Sequence, residues 1–182
     1  MSILPILIHH HPVLRKKAEV ISEMPSFPNS ELPQLIADMF ETMYDAPGIG
    51  LAAPQVGVSK RLFVIDVGER EDGSHLGKHV FINPEIIEAT GKTTYEEGCL
   101  SLPGVNGVVE RFAEVTVKFI NAAGQEDTLL AKGLFAICIQ HELDHLNGIL
   151  FPDRIKGIRG QIVKKAMERL AKDNLRGRLK AD

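Results

Sequence analysis

The sequence predicts an α+β fold, with small antiparallel sheets around a buried central helix and an amphipathic helix at the C-terminal end. Three observations carry that prediction. Runs rich in Val, Ile and Phe are scattered between residues 61 and 130, apart from helical periodicities at 32–44, 134–147 and about 158–176, so strands and helices do not alternate as in a parallel α/β sheet. Asn121-Ala122-Ala123-Gly124 follows an alternating run and marks a hairpin, which requires antiparallel pairing. The 134–147 segment carries apolar residues on every side, which places it in an interior. With 182 residues, 44% hydrophobic and 25% charged, the chain has the size and composition of one domain spanning 1–182.

Residues 12–17 suit a short helical turn, with Pro12 in the first turn. His9, His10 and His11 precede it and read as surface residues. Pro25, Pro28 and Asn29 mark a loop. Leu32, Leu35, Ile36, Met39, Phe40 and Met43 recur at helical spacing, and Pro47-Gly48 ends that helix. Residues 48–57 are too rich in glycine for a regular element and read as a shaped loop that comes close to something. Strands are predicted at Arg61–Val67 and His79–Thr90, with Pro84 indicating an edge or a break in the second. Glu114–Ile120 alternates, with Thr128–Leu130 as its return strand. Gly133 and Gly148 bracket the central helix. Beyond it, Ile158, Ile162, Val163, Ala166, Met167 and Leu170 share one side of the terminal helix.

Composition narrows the setting. No apolar run approaches the length of a membrane span, and the N-terminal segment lacks the cationic start of a signal peptide. Two Cys suggest no disulfide scaffold, so a reducing, cytoplasmic location is expected. The net charge of −3 hides an asymmetry: residues 156–182 hold nine Lys or Arg against three Asp or Glu. Such a tail can meet an anionic partner such as RNA, although a solvated helix face is the commoner outcome. Neither DNA nor a membrane is an expected partner.

The chemistry concentrates in His141-Glu142-Leu143-Asp144-His145. Residues four apart lie on one helix face, so His141 and His145 can reach one metal ion while Glu142 handles the proton of an activated water. The third ligand is open. A metzincin would place His where Phe151 stands; a thermolysin-like protease would use a later Glu, and Glu168 within a basic helix is a weak candidate. Cys99 in Glu97-Gly98-Cys99-Leu100-Ser101 offers a stronger ligand for zinc or iron(II), though a single Cys is more often a small buried hydrophobe. Cys138 shares the helix face of His141 and Glu142 and reads as an apolar wall. Gln140 and Asp144 read as structural, holding loops or orienting a His. The pentapeptide alone leaves a metalloprotease open, and the basic tail leaves an RNA- or ribosome-binding module with a structural metal.

Three segments together resemble the peptide deformylases: Gly-Ile-Gly-Leu-Ala-Ala-Pro-Gln at 48–55, Glu-Gly-Cys-Leu-Ser at 97–101 and Gln-His-Glu-Leu-Asp-His-Leu-Asn-Gly at 140–148. They stand in the family's order and approximate spacing, and the resemblance covers nearly the whole chain. It implies a metal-dependent hydrolase that removes the N-formyl group from the initiator methionine of newly made proteins, releasing formate. Cys99, His141 and His145 would bind one divalent metal: iron(II) in the cell, with zinc, nickel or cobalt accepted. Glu142 would take the proton of the attacking water and pass it to the leaving amine. The Gln55 side-chain amide and the backbone N–H of Leu100 would steady the oxyanion. Gly50 would pair with an extended substrate; Leu134, Ile137 and Cys138 would line the methionine pocket; Ile49 and Glu97 would add substrate contacts. The nascent formyl-Met polypeptide is the implied partner, and the ribosome a second one through the basic terminal helix. The sequence departs from the enterobacterial pattern at Asn106, where an Arg that contacts substrate backbone is expected.

Overall fold

The computed structural model of the chain describes residues 2–22, 31–68 and 77–178, the last eight as backbone apart from Lys172. The loop expected around Pro25, Pro28 and Asn29 lies outside the described residues. Helix α1 spans Leu32–Asp45, α2 Gly133–Leu146 and α3 Gly157–Arg178. Strands β1 (Gly50–Ala52), β2 (Leu62–Ile65), β3 (His79–Thr90), β6 (Glu114–Ile120) and β7 (Glu126–Lys132) form one antiparallel sheet in the order β1-β2-β3-β6-β7. A separate antiparallel ribbon joins β4 (Thr93–Glu97) to β5 (Gly107–Arg111). The architecture is α+β, as expected.

Strand β2 shows why the sheet sits between two helices. All of Leu62-Phe63-Val64-Ile65 is buried, and successive side chains point to opposite faces. Phe63 and Ile65 join Phe81, Phe119, Phe135 and Ile139 in the core toward α2, while Leu62 and Val64 join Ile36, Met39 and Met43 of α1. Phe81 stacks on Phe63 at 4.7 Å and tilts against Phe119 at 4.4 Å between ring centroids. Burying each such ring contributes about 1.5–3 kcal/mol, so this layer is where α2 is fixed. A third core joins Leu102, Val109, Leu150 and Phe151 to Val163, Met167 and Leu170 of α3.

Several elements differ from the sequence expectation. Residues 50–52 of the glycine-rich segment pair with β2, and Ala53–Val56 form a 3₁₀ turn. Pro84 lies in β3, which is an interior strand of the sheet rather than an edge or a break. An irregularity between Ile82 and Glu85 absorbs it, with Asn83 at φ 50° and its side-chain amide bonded to both the N–H and C=O of Ile21. The return strand β7 is longer than Thr128–Leu130 because the Asn121 side chain accepts bonds from Ala123 and Gln125 and closes the hairpin tightly. His9 is buried, in contrast to the exposed His10 and His11, because its N–H donates to the Ser101 carbonyl and draws the segment against the loop after Cys99. Helix α2 ends where Gly148 takes φ 71° and passes so close to Arg15 that a Cβ would lie 2.7 Å from its backbone. Among the described residues, no helix is long and apolar enough to cross a membrane.

Candidate active site

Helix α2 and the turn after β4 bring the polar residues together. His141 and His145 stand one turn apart on α2, and Cys99 follows the last residues of β4. Their ligand atoms lie within 4.8 Å of one another, and Cys99 Sγ is 3.2 Å from His145 Nε2. A tetrahedral ion with bonds near 2.0–2.3 Å separates its ligands by roughly 3.3–3.8 Å, so one thiol and two imidazoles so spaced fit zinc or iron(II). Among the described residues this is the cluster able to hold a metal; Glu168 is exposed on α3 and takes no part in it. Burial pushes the His145 imidazole well below its usual pKa, which keeps it neutral as a ligand must be.

Behind the cluster is a buried charge network. His141 Nδ1 is 2.8 Å from Glu97 Oε2, which leaves Nε2 as the nitrogen able to ligate a metal. Arg111 clasps the same carboxylate from Nε at 2.7 Å and from its second terminal nitrogen at 2.9 Å, and its remaining nitrogen reaches Asp144 at 2.6 Å. Arg154 donates to both oxygens of Asp144. Burial alone would raise the Glu97 carboxyl, but the bonds from Arg111 and His141 outweigh it and hold it at about 2.

In front of the cluster opens a cavity of about 410 Å³. Its lining includes Ile49, Gly50, Gln55, Glu97, Cys99, Leu100, Leu134, Ile137, Cys138, His141 and Glu142, with His145 packed behind. The structure thus gathers the site residues named from sequence into one place. Glu142 is 3% exposed, one of its oxygens has no hydrogen-bond partner, and burial pushes its carboxyl up to about 7. Such a carboxyl can both take and give a proton near neutrality. Gly50 is required beside it, because a Cβ there would sit 2.5 Å from Glu142 Oε1 and 2.8 Å from Cys138 Sγ. The Cys138 thiol is buried and pushed well above its usual pKa, so it stays neutral, an apolar wall. Gln55 is held by its Oε1, which accepts from the Ala52 N–H at 2.8 Å. Its Nε2 points toward Cys99 Sγ at 3.6 Å and Ser101 Oγ at 3.3 Å.

Glu97 was expected among the substrate contacts. It lines the cavity, but both carboxylate oxygens are taken by Arg111 and His141, so its side chain is committed to holding those two groups. The sequence gives no sign of Arg111: one Arg closing a five-residue strand of mixed burial carries no signal. Tyr95 and Glu96 also line the cavity and were not named, because Thr93-Thr94-Tyr95-Glu96-Glu97 lacks any hydrophobic alternation. Asn106 lies in the lining against Gly98, where a Cβ would meet its Oδ1 at 2.9 Å.

A sequence profile of the polypeptide deformylase family matches residues 3–161. The chain belongs to the polypeptide deformylase family. It is 46% identical over 173 residues to the peptide deformylase of Agrobacterium fabrum, covering 94% of this chain and 98% of that one. The crystal structure of a Legionella pneumophila peptide deformylase superposes with a TM-score of 0.82 at 40% identity, covering 96% of this chain and 99% of that one. A Met-Ala-Ser-bound peptide deformylase from Acinetobacter baumannii matches with a TM-score of 0.77 at 38% identity, covering 85% and 100% respectively. Deformylases are metal-dependent hydrolases that remove the formyl group from the initiator methionine of nascent chains, and this is the activity of the present chain.

Proposed function

We propose that Cys99, His141 and His145 hold one divalent metal, iron(II) in the cell, with zinc, nickel or cobalt able to replace it. The observation that carries this reading is the convergence of those three ligand atoms beside a buried carboxylate oxygen of Glu142 that has no partner. A metal so held supplies Lewis acidity and lowers the pKa of a bound water toward neutrality. Glu142 accepts the proton of the attacking water and returns it to the departing amine of methionine. The Gln55 Nε2 and the Leu100 N–H donate to the oxygen that gains charge as the formyl carbon becomes tetrahedral. Gly50 begins an edge strand on the cavity, so its backbone is open to pair with an extended peptide. Leu134, Ile137 and Cys138, with Ile49 at the mouth, enclose the methionine side chain; the Acinetobacter relative, bound to Met-Ala-Ser, is consistent with a peptide of this kind. The test is metal content and formate release after Cys99→Ala: metal is lost and formate release falls to background, whereas a variant that keeps both would refute the ligand set.

We further propose a single catalytic domain over 1–182, working in the cytoplasm at the ribosome. Exposed Arg159, Lys164, Lys165 and Arg169 on α3 form the basic surface for anionic RNA. Reversing Lys164, Lys165 and Arg169 to Glu should abolish salt-sensitive ribosome binding while turnover of a short formyl-peptide persists; unchanged ribosome binding would rule the surface out.

A further inference from the structure

We propose that Arg111 and Arg154 are positioning residues for His141, acting through Glu97 and Asp144. The inference rests on the metal site proposed above. The contacts form an unbroken path. Arg154 holds Asp144 at 2.5 and 3.1 Å, Asp144 receives Arg111 at 2.6 Å, Arg111 grips Glu97 at 2.7 and 2.9 Å, and Glu97 meets His141 Nδ1 at 2.8 Å.

Three features separate this path from an ordinary stabilising ion pair. First, the side chains of Glu97, Arg111 and Asp144 are only 4–6% exposed. Replacing buried ion pairs by apolar groups is often neutral for stability, so stability alone does not account for charges there. Second, the two-pronged grip of Arg111 fixes the plane of the Glu97 carboxylate, and that plane sets the rotation of the His141 ring. A point charge in place of the guanidinium would not do so. Third, the path meets α2 twice, at Asp144 and at His141, since Asp144 lies three residues after His141 and shares its side of the helix. The neighbouring Gln140 adds a clasp: its amide accepts from the Phe112 N–H at 3.0 Å and donates to the Phe112 carbonyl at 2.9 Å. The end of β5 is thereby registered on the turn of α2 that carries the ligand. Arg154 begins the path from outside the cavity, with 46% of its side chain exposed. It therefore offers a handle on His141 that touches nothing in the reaction.

The experiment measures zinc affinity of the full chain by chelator competition, alongside the Tm of the metal-free protein. Arg111→Met is expected to weaken zinc binding about 10- to 100-fold, the range found for groups that support metal ligands. Arg111→Lys should fail to restore it. Arg154→Met should weaken binding several-fold, and the double variant Arg154→Met with Glu97→Gln should bind zinc no more weakly than Glu97→Gln alone. Wild-type zinc affinity in Arg154→Met, additive losses in the double variant, or full rescue by Lys would each overturn the proposal. Should Arg111→Met fail to fold, Arg154→Met still decides. Cys99→Ser is the control for the metal site itself: if it retains wild-type affinity, the ligand set fails, and not the positioning path.

Discussion

Helix α2 and the β4–β5 ribbon meet at the same cavity and bury polar groups to the same depth, yet two groups of the helix differ from those of the ribbon in how they are paired. On α2, Glu142 and His145 are 3% and 1% exposed, and each keeps one side-chain atom without a partner. On the ribbon, Glu97 and Arg111 are 4% and 5% exposed, and every side-chain oxygen and nitrogen of the two has a partner, in each other, in His141 or in Asp144. An unpaired buried polar atom costs about 1–3 kcal/mol, and in Glu142, which lines the cavity, such an atom is available to take a proton. The fully paired groups hold the others in place. Burial alone does not separate Glu142 from Glu97; the state of their hydrogen bonds does.

The paired side should break with the largest loss of stability. Glu97→Gln leaves Arg111 short of its counter-charge and should cost about 3–5 kcal/mol by urea denaturation. The loss should depend on acidity. The carboxyl is held at about 2 against 4.5 for a free group, so its contribution is full above pH 4.5 and drains away as pH falls toward 2. The gap between wild type and Glu97→Gln should therefore narrow across that window, and a constant gap would contradict the pairing. On the free side, Gly50→Ala forces Glu142 or Cys138 aside and should lower kcat by about 10²-fold, because small displacements of reacting groups are costly. A near-normal kcat would mean that Glu142 tolerates displacement. The mildest expectation is Gln140→Ala: about 1–2 kcal/mol of stability from its lost bonds to Phe112, with formate release changed only a few-fold.

The same contrast explains what was legible in the sequence. His141, Glu142 and His145 are local: a helix of period 3.6 puts them on one side, and five letters suffice to see it. The helices themselves were legible to within a residue or two, because α1 and α2 bury apolar side chains that repeat. The ribbon was not. Its strands are short and of mixed burial, so no clear alternation announces them, and Arg111 stands opposite Thr93 in the ribbon, so its grip on Glu97 comes from the reach of its side chain across the buried face rather than from the pairing register. Gly50 reads from sequence as part of a shaped loop, whereas residues 50–52 complete the sheet by pairing with β2. Pro84 misled because a proline in an interior strand needs a bulge, and the Asn83 side chain that stabilises it reaches residues 62 positions away.

The assignment of roles by hydrogen-bonding state is tested most directly on Glu142→Gln. Metal content and formate release from formyl-Met-Ala would be measured on the same anaerobic preparation. The expected result is wild-type metal content, unchanged or higher Tm, and a fall in kcat of about 10³-fold. Loss of the metal, or formate release at the wild-type rate with the metal in place, would contradict it.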